Sequence, residues 1–170
     1  MFNIFNIFSK DESSNWQPSY KIPLWFNCQT ASLNNVKIGD SAENLRAFGR
    51  PNNKLPFKDE KFEYYQLGFD VETENGKISN FCFMFNGTPE PTFANCELSL
   101  TTNNGGQLSL NRYTKIDYIE QILGVAPNKN FDEDEGFCYD SFYRFGDLQV
   151  SFFWLEDGSL EELIVEKYQD

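Results

Sequence analysis

Histidine is absent from this 170-residue chain. Its absence removes the usual general base near neutral pH, the Ser-His and Cys-His nucleophile pairs, and every zinc site that uses an imidazole. Cysteine is scarce: Cys28, Cys82, Cys96 and Cys138 stand at wide, irregular spacings with no C-x-x-C, which leaves no zinc ribbon and no thioredoxin-like motif. No apolar run is long enough and free enough of charge to span a bilayer. Residues 1–8 are apolar, but no basic residue precedes them and no small-residue cleavage site follows before Lys10, Asp11 and Glu12. A secretory signal is therefore not expected, the chain reads as cytoplasmic, and its cysteines read as reduced thiols. Basic residues are outnumbered, 14 against 26 acidic, for a net charge of −12. That balance argues against nucleic acid and anionic lipid as partners and favours a cationic one. Asn103 to Gly106 is glycine-rich but lacks the lysine and following helix of a phosphate loop, so it reads as a turn. No cofactor, no metal and no catalytic residue are expected.

What the chain does hold is aromatic mass: 18 Phe, 8 Tyr and 3 Trp within 40% hydrophobic residues, enough to bury the core of one ordinary domain or of two small units sharing it. Residues 40–54 are echoed by residues 114–129. Asp40 and Thr114 suit helix N-caps, Glu43 and Asp117 follow three positions on, and Gly49 and Gly124 suit the left-handed position at a helix end. Leu45 and Phe48, and Ile116, Ile119 and Leu123, recur at helical spacing. The turns around Asn75-Gly76 and Asp157-Gly158 then join antiparallel strands in both copies. Strands are expected near 62–67, 69–74, 78–85, 95–101, 106–111, 139–145, 147–155 and 160–167, with an extra one at 22–28.

The expected fold class is α+β: two tandem repeats of a short helix plus an antiparallel β-meander, forming a shared curved sheet with helices on one face. The expected organisation is a partly docked N-terminal arm at 1–32, a first repeat at 33–92 and a second at 93–170, all in one cooperative domain. The clearest break inside the chain is the Pro- and Gly-containing stretch 86–92.

Capped helix, Gly, Pro and a meander closed by a Gly-containing hairpin, occurring twice over residues 33–167, resemble the β-lactamase inhibitor protein architecture and its small relatives among outer-membrane assembly lipoproteins. The resemblance implies a curved, aromatic-rich sheet that grips another protein, with projecting loops entering the target. It implies no catalysis. With no export signal and no lipidated cysteine, the chain looks most like a bacterial immunity protein that neutralises a cognate toxin, or binds another basic protein, by covering its active site. The alternatives are an envelope-assembly module and a small-molecule or carbohydrate-binding domain.

Three groups of residues are candidates for partner binding. Asp70, Glu72 and Glu74 alternate with Phe69 and Val71, which makes one strand face acidic. Asp132, Glu133, Asp134 and Glu135 form a run of anions on a loop, and residues 58–61 form a second charged loop. As a calcium loop the run fails, because taking Gly136 as the sixth position puts Phe131 first. Tyr64, Tyr65 and Tyr143 suit a half-wet surface, and Phe153 lies opposite the apolar set Leu148, Val150, Phe152 and Trp154. The oligomeric state and the partner's identity are left open by the residues.

Overall fold

The computed structural model describes residues 12–53, 61–86 and 93–168. Most of the 58–61 loop and of the 86–92 break therefore lies outside the described residues. The described chain is mostly β. Its strands are β1 (Leu24–Asn27), β2 (Ser32–Leu33), β3 (Val36–Lys37), β4 (Lys61–Tyr64), β5 (Phe69–Glu74), β6 (Lys77–Met84), β7 (Leu98–Thr101), β8 (Gln107–Leu110), β9 (Asn128–Asp132), β10 (Phe137–Phe145), β11 (Leu148–Trp154) and β12 (Leu160–Lys167). Among the described residues, helical structure amounts to one short α-helix, α1 (Ile116–Leu123), and two 3-10 segments, Glu12–Asn15 and Ala42–Phe48.

The strands form two sheets. One runs β4-β5-β6-β12-β11-β10-β9 and is antiparallel throughout; the other runs β3-β2-β1-β7-β8, with β1 and β7 parallel. This overturns the α+β expectation. The inner face of the large sheet was assigned to helices, whereas a second sheet packs there: Phe26 on β1 meets Phe81 and Phe83 on β6 with ring centroids 5.9 and 6.4 Å apart. The physical reason is capacity. A seven-residue 3-10 segment buries only Leu45 and Phe48, and α1 buries only Ile119, too little to cover a seven-stranded sheet.

Alternation within the strands sets the inner face. Phe62 and Tyr64, Phe69 and Val71, Phe81 and Phe83, Leu163 and Val165, and Val150, Phe152 and Trp154 all point into the core. Phe48 packs edge-on against Tyr64 and Phe69, and Phe152 meets Tyr143 edge-on at 5.6 Å and stacks on Trp154 at 5.7 Å. Burial of this many rings is the main stabilising term.

The hairpin turns also hold the segments before the helices. Ile78 N–H donates to Asp40 O and Ala42 N–H to Gly76 O; Leu160 N–H donates to Thr114 O and Ile116 N–H to Gly158 O. Asn75 and Gly76 take φ of 52° and 74°, the two-residue turn whose twist matches the strands. The second hairpin is longer, with Leu155 and Ser159 bonded across it and Gly158 at φ 73°. The helix caps sit one residue later than expected. Ser41, not Asp40, accepts from Glu43 N–H, and Lys115, without a side-chain cap, replaces Thr114. Asp40 and Thr114 instead close the preceding turns, accepting from Lys37 N–H and Asn111 N–H.

Candidate functional site: the outer face of the seven-stranded sheet

The same alternation that builds the core leaves a second face whose side chains take no part in the hydrophobic core. Strand register orders it in three rows. The first runs Met84, Glu162, Phe153, Asp140, Asn130; the second Glu63, Asp70, Cys82, Ile164, Ser151, Phe142, Asn128; the third Lys61, Glu72, Asn80, Glu166, Gln149, Arg144. Apolar side chains (Met84, Ile164, Phe153 and Phe142) lie towards the middle. Around them stand Glu63, Asp70, Glu72, Glu162, Glu166 and Asp140 against two bases, Lys61 and Arg144.

Six interstrand spacings make the face about 29 Å wide, and the four row-to-row steps from Glu74 to Asp132 make it about 27 Å long. The two acidic groups singled out in the sequence therefore stand at opposite corners. Glu74 flanks the β5–β6 turn, paired across it with Lys77. Asp132 opens the β9–β10 turn, where its Oδ1 accepts from the N–H groups of Asp134 and Glu135 at 3.0 Å and leaves Glu133, Asp134 and Glu135 exposed. Phe153 is half-buried near the centre.

Two expected surface residues, Tyr64 and Tyr143, are corrected. Tyr64 is fully buried, because on β4 it shares the inward parity of Phe62, and its hydroxyl donates to Leu45 O at 3.2 Å. Burial pushes its phenol up. Tyr143 points inward as well and donates to Gly124 O at 2.9 Å, tying β10 to the end of α1; burial raises it to about 12. Tyr65 is half-buried at the edge, donating to Glu63 Oε2 at 2.6 Å and packing edge-on against Phe93.

Asp70 lies on the expected face yet is fully buried. Lys61 Nζ stands 2.8 Å from its Oδ2, while Oδ1 receives no hydrogen bond among the described residues. Burial raises its carboxyl to about 6 against the pull of Lys61, with Glu162 and Glu72 adding to the rise. Next to it, Cys82 Sγ donates to Glu162 Oε1 at 2.5 Å, and burial drives this thiol far above its ordinary range. This acid and thiol cluster at the sheet centre was not singled out in the sequence. Its signal was the alternation Phe81, Cys82, Phe83, which puts the thiol on the polar side.

An open groove of about 340 Å³ lies elsewhere, lined by the approach to β1 (Lys21 to Leu24), Gln66 and Leu67, and Ala94, Asn95 and Glu97. All four cysteines are free. No helix among the described residues is long and apolar enough to cross a membrane.

No protein-family model and no curated protein matches the chain. Among solved structures it is similar to a DUF4309 family protein (YjgB) from Bacillus subtilis, at 13% identity and a TM-score of 0.51 over 79% of this chain and 83% of that one. At that identity the likeness is one of fold. It is also similar, at 13% identity and a TM-score of 0.41, to a cysteine-rich secretory protein from Staphylococcus aureus. That match covers 89% of this chain and 51% of the other, so this chain spans about half the other's length.

Proposed function

We propose that the protein is a non-enzymatic inhibitor that binds a basic protein partner through the outer face of the large sheet, as an immunity protein neutralises a cognate toxin. The observation that carries this reading is the composition of that face, an apolar middle of Met84, Phe142, Phe153 and Ile164 framed by carboxylates. Its sides of about 29 and 27 Å enclose roughly 800 Å², the share one partner contributes to an ordinary protein–protein interface. A small ligand needs a concavity instead, and this face is a sheet surface. The net charge of −12 supports a cationic partner, whose encounter it accelerates. Four free thiols support a reducing, cytoplasmic setting.

Co-expression with a toxin encoded beside the gene tests the proposal. The chain restores growth; Phe153→Glu together with Ile164→Glu abolishes rescue while leaving the melting transition in place. Neutralising Asp132, Glu133, Asp134 and Glu135 slows association and flattens its salt dependence, whereas Phe153→Ala chiefly shortens the lifetime of the complex. Rescue that survives the double Glu substitution refutes the assignment of this face.

A further inference from the structure

The two edges of the large sheet are finished differently. β4, at one edge, is closed by a pair of asparagines. Asn53 Nδ2 donates to Lys61 O, Asn53 Oδ1 accepts from Glu63 N–H at 2.9 Å, Asn52 N–H donates to Glu63 O at 2.7 Å, and Asn52 Oδ1 accepts from Tyr65 N–H at 2.8 Å. Four backbone groups that would otherwise invite a further strand are thereby satisfied.

At the other edge, β9 has no such cover among the described residues. Asn130 N–H is taken by Asp140 Oδ1 at 3.0 Å, and Asp132 O accepts from Gly136 N–H at 2.7 Å, both on the β10 side. By the alternation of an antiparallel ladder, the N–H and C=O groups of Lys129 and Phe131 then point away from β10. Charge guards this edge only at its end, where Asp132 turns its carboxylate into the β9–β10 turn. Asn128 and Asn130 are neutral, and Lys129 is drawn to Glu120 on α1. Phe131 is 53% exposed, and three of the strand's five residues are exposed. At five residues β9 is also the longest of the four edge strands described.

We propose that β9 is a strand-acceptor edge, to which the partner adds an extended segment that sets an apolar residue against Phe131 and lysine or arginine beside Asp132, Glu133, Asp134 and Glu135. This rests on the reading of a basic protein partner and names the form that partner presents. Main-chain bonds supply the attachment and alternate side chains the selection. Charge chooses this occupant over a second copy of the chain, because two copies each carry −12 and repel. The added strand extends the second row beyond Asn128 and the first beyond Asn130, so edge and face become one surface.

The probe is a blocked heptapeptide alternating lysine and valine, titrated into the full chain and followed by amide exchange in NMR and by fluorescence anisotropy. The expected result is slowed exchange of the Lys129 and Phe131 amides with no change along β4. A glutamate–valine peptide leaves both amides unchanged. Phe131→Pro, which deletes one outward donor, weakens binding about tenfold. Should that variant fail to fold, Phe131→Lys, which keeps the donor but replaces the apolar contact with a charge that repels the peptide, gives the same loss. Neutralising the four turn acids also costs about tenfold at low salt. The proposal is overturned if the peptide slows neither amide. It is equally overturned if Phe153→Ala abolishes peptide binding while the Phe131 variants do not, a result that leaves the outer-face reading standing. Concentration-dependent protection of the two amides without peptide overturns it in favour of self-association. If the peptide adds to β9 but the Phe153 and Ile164 variants retain toxin rescue, the face fails and the edge survives.

Discussion

Asp70 makes the stability of this protein depend on pH in an unusual direction. Its carboxyl titrates near 6 in the folded chain instead of near its ordinary 3.8, chiefly because it is buried. Between about pH 4 and 6 the folded chain holds a proton that the unfolded chain has already released, so stability falls as pH rises through this window. Below it both states are protonated; above it the full cost of a buried carboxylate is present. The gap of about 2 between the two pKa values, at ~1.4 kcal/mol for each, corresponds to ~3 kcal/mol. For a chain of this size that equals roughly 6–12 °C in melting temperature. Asp70→Asn keeps the shape and removes the charge, and it leaves Lys61 partly in water. Calorimetry on both proteins at half-unit steps from pH 4 to 7.5 should show the wild type losing stability over the window relative to the variant, and the variant the more stable at pH 7.5. Glu161, also raised by burial, adds a slope common to both proteins, so the difference between the curves isolates Asp70. Parallel curves would refute the reasoning.

Tyr64→Phe should cost ~1 kcal/mol for the lost bond to Leu45 and Tyr64→Ala about 3–5 kcal/mol, read by denaturant titration; a near-neutral Ala variant would mean that the ring is not in the core. Gly68→Ala should destabilise by at least ~2 kcal/mol, because Gly68 has φ of +75° and an added Cβ would stand 2.3 Å from Ala94 O. A variant with unchanged melting would contradict that close approach. In native protein a thiol reagent should reach half-buried Cys138 first, while Cys82 and Cys96 react only on unfolding and Cys28, pushed up to about 12, reacts slowly. Rapid labelling of two or more thiols would contradict the burial described.

Much of the β structure was readable because side-chain parity in a strand is a local property. Leu148, Val150, Phe152 and Trp154 alternate with Gln149, Ser151 and Phe153, and they face inward as that alternation requires. Asn75-Gly76 announced its turn for the same local reason. β9 was missed because Asn128 to Asp132 has no apolar alternation and is held by backbone pairing and by polar contacts to Asp140 and Glu120. The second sheet was missed because its joining pair, β1 with β7, links residues 24–27 to 98–101, and no local pattern names a partner so distant. Helices were placed where that sheet lies because capped, glycine-ended segments were present, but they were too short to serve as a layer. The three tyrosines were chosen by residue type. Parity would have turned Tyr64 inward with Phe62, so that error was avoidable. The burial of Asp70 was not legible, since it depends on neighbours from three other strands.

The pairing of β6 with β12, Asn80 opposite Glu166 and Met84 opposite Glu162, bears on how the chain is made. A strand finished by residue 84 waits for its neighbour until residues 160–167 have been synthesised, about 80 codons later. At roughly 5–20 residues per second, the hairpin β5–β6 spends about 4–16 s on the ribosome with one edge bare. Translation speed and chaperone supply therefore bear on the yield of this protein. Stalling ribosomes a few codons before Leu160 has cleared the exit tunnel should trap a protease-sensitive nascent chain, and release beyond Lys167 should bring protection of both halves together.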